Sequence, residues 1–116
     1  MTLLMVACGG ALGAVLRYLV VVSVAFPFGT MTVNALGSLL IGVIYATTHH
    51  KGLHGWQPFL IVGVLGGFTT FSAFSLDTMR LVEAGRLAAA GGYVMGTVLL
   101  SLAACAAGLW IAKGAL

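Results

Sequence analysis

Gly66-Gly67-Phe68-Thr69-Thr70-Phe71-Ser72-Ala73-Phe74-Ser75 is the stretch on which the fold turns. It lies within the charge-free run 52–76. Two glycines followed by two threonines weaken an ordinary helix. In a membrane, backbone groups freed from a helix must find partners within protein. An interrupted helix meets that demand if the opened carbonyls coordinate a cation or face other protein. The half-helix that follows then presents a partly positive N-terminus. The alternative is a helix that runs through, its hydroxyls bonding back one turn. The Gly-Gly-Phe-Thr-Thr string favours the break.

The runs on either side set the architecture. Residues 1–16, 18–50, 52–76 and 87–112 carry no formal charge. A bilayer-spanning helix needs roughly 20 mostly apolar residues. The run Tyr18–His50 is too long for one span, and Phe26-Pro27-Phe28-Gly29 breaks it with a Pro/Gly turn signal. Four helices follow, at about 3–25, 30–48, 57–82 and 88–112, in one domain covering residues 1–116. The apolar stretches are continuous, which argues against a transmembrane barrel.

Composition excludes the soluble classes. Charged residues make up 6 % of the 116 and apolar residues 61 %, and the mean hydropathy is +1.17. A soluble domain of this size needs far more polar surface. Such hydropathy excludes disorder. Two cysteines cannot make a disulfide scaffold, and Cys8 and Cys105 read as small packing residues within apolar helices. The N-terminus lacks a basic n-region, so its first apolar run reads as a retained span. His49, His50 and His54 fall in the second connection with Lys51. They read as a solvated interfacial loop, with a metal site as the rarer alternative. A net charge of +3 is too small and scattered for nucleic acid.

Orientation is undecided by charge. Lys51 and Lys113 fall on one side and Arg80 and Arg86 on the other, with Arg17 inside the first span. The positive-inside rule selects neither orientation for such a distribution. Insertion both ways, with opposite copies pairing antiparallel, stands beside a weak bias resolved one way. Four short helices can hardly enclose a polar path alone. Glycine is also abundant, at 17 residues, about twice the usual share. Gly9/Gly13, Gly63/Gly67 and Gly92/Gly96 fall at the spacing that lets membrane helices approach closely. That packing serves the chain itself, an oligomer, or both.

Polar groups inside spans mark function by default. Here they are Arg17, Asn34, the hydroxyls of the third span, and Tyr93, Thr97 and Ser101 spaced four apart on the fourth. Phe71 and Phe74 share a helix face, and Ser72 and Ser75 flank them. Aromatic ring edges are positive, so they can meet a small anion beside N–H and O–H donors. Asn34 offers two amide hydrogens, and seen alone reads as an interhelical bond. The Tyr93, Thr97, Ser101 stripe also reads as interhelical glue. As a set, these groups are donors without an embedded acid, which suits a dehydrating anion. No catalytic triad, acidic pair within a span or nucleotide loop is present, so an enzyme is not expected.

Three motifs together resemble the Fluc, or CrcB, family of fluoride channels. They are Gly9-Gly10-x-x-Gly13-Ala14-x-x-Arg17-Tyr18, Gly29-Thr30-x-x-Val33-Asn34-x-x-Gly37, and Gly66-Gly67-Phe68-Thr69-Thr70-Phe71-Ser72-x-Phe74-Ser75. The last is the most specific. The resemblance implies an all-α integral membrane protein of four transmembrane helices with a broken third helix. It implies an antiparallel dual-topology dimer in the plasma membrane, built from two copies or from this chain and a paralogue, with two fluoride pores. Phe71, Phe74 and Asn34 would face the pore. Ser72, Tyr93, Thr97 and Ser101 would form a polar track, with Thr97 and Ser101 matched by spacing only. A sodium ion would lie at the dimer centre on backbone carbonyls at Gly66 and Thr69. Arg17 would be structural or near a vestibule.

The implied function is passive export of fluoride, which lowers its toxicity. Hydrogen fluoride crosses the bilayer neutral and ionises inside, and a channel lets the anion leave. A small multidrug-resistance transporter has similar length and span count but needs a glutamate in its first span. Here that span holds Arg17 and no acid. A structural subunit without a pathway would leave the hydroxyl and phenylalanine string unexplained.

Overall fold

The computed structural model describes residues 1–116 and is all helical, with no strand. Helix α1 runs Thr2–Ser23 and α2 runs Phe28–His50. The turn between them is closed by the Phe28 N–H donating to the Ala25 carbonyl at 2.8 Å. Helix α2 begins directly after Pro27, two residues ahead of the expected start, because proline suits the edge of a first turn. The third apolar segment, His54–Glu83, is one span by length and composition but not one helix. It opens with a tight turn, His54–Trp56. Helix α3 (58–68) follows, as a wide π-helical stretch Pro58–Leu65 continued by the turn Gly66–Phe68. Helix α4 runs Phe71–Glu83 and α5 runs Leu87–Ala115.

Helical dihedrals stop at Thr69 (ψ 159°) and at Thr70 (φ −154°, ψ 122°), both extended. The chain resumes as α4 because Thr70 caps it, its Oγ1 accepting from the Ala73 N–H at 3.1 Å. Helix α4 ends in a Schellman motif. Arg86 N–H donates to the Leu81 carbonyl (2.9 Å) and Gly85 N–H to that of Val82 (3.0 Å). Gly85 makes this possible with φ +76°.

Glycine seams hold the helices together. A methyl group on Gly9 would lie 2.5 Å from the Phe59 carbonyl oxygen, and one on Gly67 would lie 2.6 Å from that of Gly10. Gly13 likewise faces the Val64 backbone, so α1 and α3 meet backbone to backbone. Gly42 of α2 and Gly108 of α5 make a second seam, against the Cys105 and Leu39 carbonyls. Gly92 and Gly96 do neither. Gly92 has nothing near it, and Gly96 meets only the Met31 methyl at 3.5 Å. The core is small, with Phe74, Leu81, Ala90 and Tyr93 packed together beside Met31. Large apolar side chains such as Leu3, Leu19, Leu102 and Trp110 are exposed all round. Water-soluble monomers rarely expose so many large apolar side chains. Lipid or another protein must cover it.

Candidate functional site

The break is held from α2. Asn34 Oδ1 accepts from the Thr70 N–H at 2.8 Å, and Asn34 Nδ2 donates to the Thr70 carbonyl at 3.0 Å. One side chain thus satisfies both backbone groups of an extended residue, as a neighbouring strand would. The exchange frees other groups. In an unbroken helix the Thr70 N–H would donate to Gly66, and the Ala73 N–H to Thr69. They donate instead to Asn34 and to the Thr70 hydroxyl. The carbonyls of Gly66 and Thr69 therefore lose their helical donors. Gly66 is on the exposed surface of the chain and Thr69 is half-buried. Gly37 of α2 packs against the Thr69 methyl, so its missing side chain admits the break.

Beside the break lies a cavity of about 410 Å³ between α2, α3, α4 and α5. Asn34, Gly66, Thr69, Phe71, Phe74, Thr97 and Ser101 all line it, with Ser38, Thr70 and aliphatic side chains. The two phenylalanine rings are 5.5 Å apart at 60°. Phe74 is 8 % exposed, whereas Phe71 is 78 % exposed and projects from the chain.

Most helix hydroxyls are spent within their own helix. Ser23, Thr32, Ser38, Thr47, Thr48, Thr69, Ser75 and Thr78 each bond back to the carbonyl one turn earlier. This is how a membrane helix hides a hydroxyl. Thr97 Oγ1 and Ser101 Oγ are buried and make no hydrogen bond at all. Both line the cavity, so two unspent O–H donors share it with two aromatic rings.

The CrcB-like protein family (Camphor Resistance, CrcB) matches residues 4–109 of this sequence. The fluoride-specific ion channel FluC of Paracoccus denitrificans is 52 % identical, over 97 % of this chain and 95 % of its own length. That of Roseobacter denitrificans is 47 % identical, over 97 % and 96 %. That of Rhodospirillum centenum is 49 % identical, over 97 % and 96 %. The chain belongs to the CrcB family. With four apolar helices of spanning length, this CrcB protein is a multi-pass membrane protein.

The remaining candidates of this CrcB protein lie away from the larger cavity. Tyr93 packs against Phe74 with ring planes tilted 40° and centroids 5.4 Å apart, but its hydroxyl points to Asp77 Oδ2 at 3.4 Å. Ser72 Oγ is 3.3 Å from Thr70 Oγ1, next to the cap of α4. Arg17 is half-buried on α1 and makes no ion pair. Asp77 is the residue that sequence reasoning misses. Its position at the end of the third span suggests a place away from the interior, yet it is 8 % exposed. Its Oδ1 lies 3.8 Å from Arg80 Nη1, whose guanidinium sits 4.2 Å above the Phe26 ring centre. With Thr30, these groups border a second cavity of about 270 Å³. A signal for this exists in the spacing: Phe74, Asp77 and Leu81 fall three and four residues apart on one buried helix face.

Proposed function

We propose that this chain forms a fluoride-selective channel through which the anion leaves the cell passively. The observation that carries the reading is the pair of partnerless hydroxyls, Thr97 and Ser101, in a cavity lined by Phe71 and Phe74. Fluoride is small and strongly hydrated, so a selective path must replace its water. Hydroxyl hydrogens, ring edges and the free amide hydrogen of Asn34 are suited to that. The relatives' names point to the same ion. A proton-coupled antiporter is disfavoured because the first helix holds no acid and Asp77, the buried carboxylate, is engaged by Tyr93 and Arg80.

The channel is a pair of chains inserted in opposite senses. Support comes from the exposed Phe71, the open space at Gly92 on α5 and the even division of basic residues. A cavity lined by a Phe71 exposed on the chain surface becomes a closed path only when a second copy covers it. The Gly66 and Thr69 carbonyls, stripped of helical donors, fit a structural sodium ion between the copies. Unwound backbone carbonyls are suited to Na⁺, and two from each chain would give four oxygens. Bound there, the ion would neutralise carbonyl dipoles that lipid cannot satisfy.

The test is efflux from proteoliposomes, read with a fluoride electrode and with chloride as control. Fluoride release well above chloride release is expected. Equal release of the two ions, or none of either, refutes the reading.

A further inference from the structure

The end of α2 and the loop beyond it bring two histidines face to face. His49 Nδ1 and His54 Nε2 are 3.3 Å apart, and the rings meet edge-on at 82°. One ring donates its N–H to the bare nitrogen of the other in a long hydrogen bond, just beyond the usual donor–acceptor distance of about 2.7–3.2 Å. The same separation matches two ligands of one metal ion. Nitrogens held about 2.0–2.1 Å from a tetrahedral ion lie roughly 3.3–3.4 Å from each other. We propose that His49 and His54 form a two-imidazole site for a borderline divalent transition ion such as Zn²⁺, with water completing the shell.

The surrounding chain orients the His49 ring and fixes the loop that carries His54. Tyr45, one turn before His49, stacks on its ring with planes 4° apart and centroids 5.8 Å apart. The loop returns to α2 through Leu53 N–H to the Thr48 carbonyl (2.7 Å) and Gln57 Nε2 to Thr48 Oγ1 (3.0 Å). Gly52 allows that reversal with φ +68°. Both imidazoles are exposed, so an ion can reach them. Binding needs both facing nitrogens free of hydrogen. The ring that carries a proton there moves it to its other nitrogen, so neutral imidazoles bind with no net proton release. Imidazole suits zinc, copper and nickel, whereas magnesium and calcium require oxygen. No third His, Cys, Asp or Glu joins the pair. The site is therefore an open chelate rather than a closed structural centre.

Calorimetric titration of the full-length protein in detergent with ZnCl₂ tests the site, with MgCl₂ as control. One Zn²⁺ per chain and no Mg²⁺ binding are expected. His54→Ala should weaken Zn²⁺ binding by about tenfold or more. His49→Phe should do the same while keeping a ring stacked on Tyr45. His50→Ala should bind as the wild type does. The proposal is overturned if wild-type protein binds no Zn²⁺ up to millimolar concentration. It is equally overturned if His49→Phe and His54→Ala bind normally, or if His50→Ala loses as much as they do.

Discussion

Asn34→Ala removes the only side chain that satisfies Thr70. Two bonds are lost together, 2.8 Å to its N–H and 3.0 Å to its carbonyl. Alanine reaches neither group, and Thr70 is buried, so water does not replace the amide. An orphaned buried backbone group costs roughly 1–3 kcal/mol. The pair therefore amounts to about 2–6 kcal/mol, a large fraction of the stability of a small domain. The effect should also be local. Loss of about 1–3 kcal/mol at the amide corresponds to roughly 5- to 150-fold faster hydrogen exchange. Exchange of the Thr70 amide, measured by NMR or mass spectrometry in detergent, reads this directly, with amides in the middle of α5 as reference. Fluoride efflux should fall as well, because the break carries the cavity wall. Unchanged protection at Thr70 in Asn34→Ala would refute the view that this side chain holds the interruption open, whatever happens to efflux.

The other predictions separate pathway from scaffold. Thr97→Val and Ser101→Ala remove hydroxyls with no partner in the chain, so unfolding in detergent should move by no more than about 0.5 kcal/mol. Fluoride efflux should drop in both; marked destabilisation instead would make these hydroxyls interhelical glue. Phe71→Ile should lower fluoride flux while cross-linked dimer persists, because Phe71 packs little against its own chain. Unchanged flux would remove Phe71 from the pathway. Phe74→Ile loses the tilted ring contact with Tyr93 and should cost about 1–3 kcal/mol of stability as well as flux. Gly13→Leu places a side chain against the Val64 backbone and should destabilise the fold by about 3 kcal/mol. Gly92→Leu meets open space within the chain. It should leave the fold intact and weaken dimer formation, read by glutaraldehyde cross-linking.

Much of the architecture is legible because span length is a property of composition. Charge-free runs and one Pro/Gly turn mark four helices without reference to any contact. The weakness at Thr69–Thr70 is also readable, since Gly and Thr lower helix propensity locally. Asn34, Phe71, Phe74, Thr97 and Ser101 stand out as unusual residues for a span, and the fold sets them around one cavity. How each is used is less accessible. Asn34 is legible as a donor, but not as the partner of a residue 36 positions away. Ser72 and Tyr93 have the right spacing, yet their hydroxyls turn to Thr70 and Asp77.

The sequence by itself determined the solvent, the number of crossings and the place where a helix fails. All three depend on side-chain chemistry counted along the chain. Tertiary structure decided which polar groups are spent and which remain. A serine or threonine in a helix can always bond back one turn, and Thr78 does so while Thr97 does not. That difference depends on the rotamer, and neighbouring helices set the rotamer. The burial of Asp77 and the freeing of the Gly66 carbonyl have the same origin. Each depends on what an adjacent helix supplies, and only the folded chain puts that helix in place.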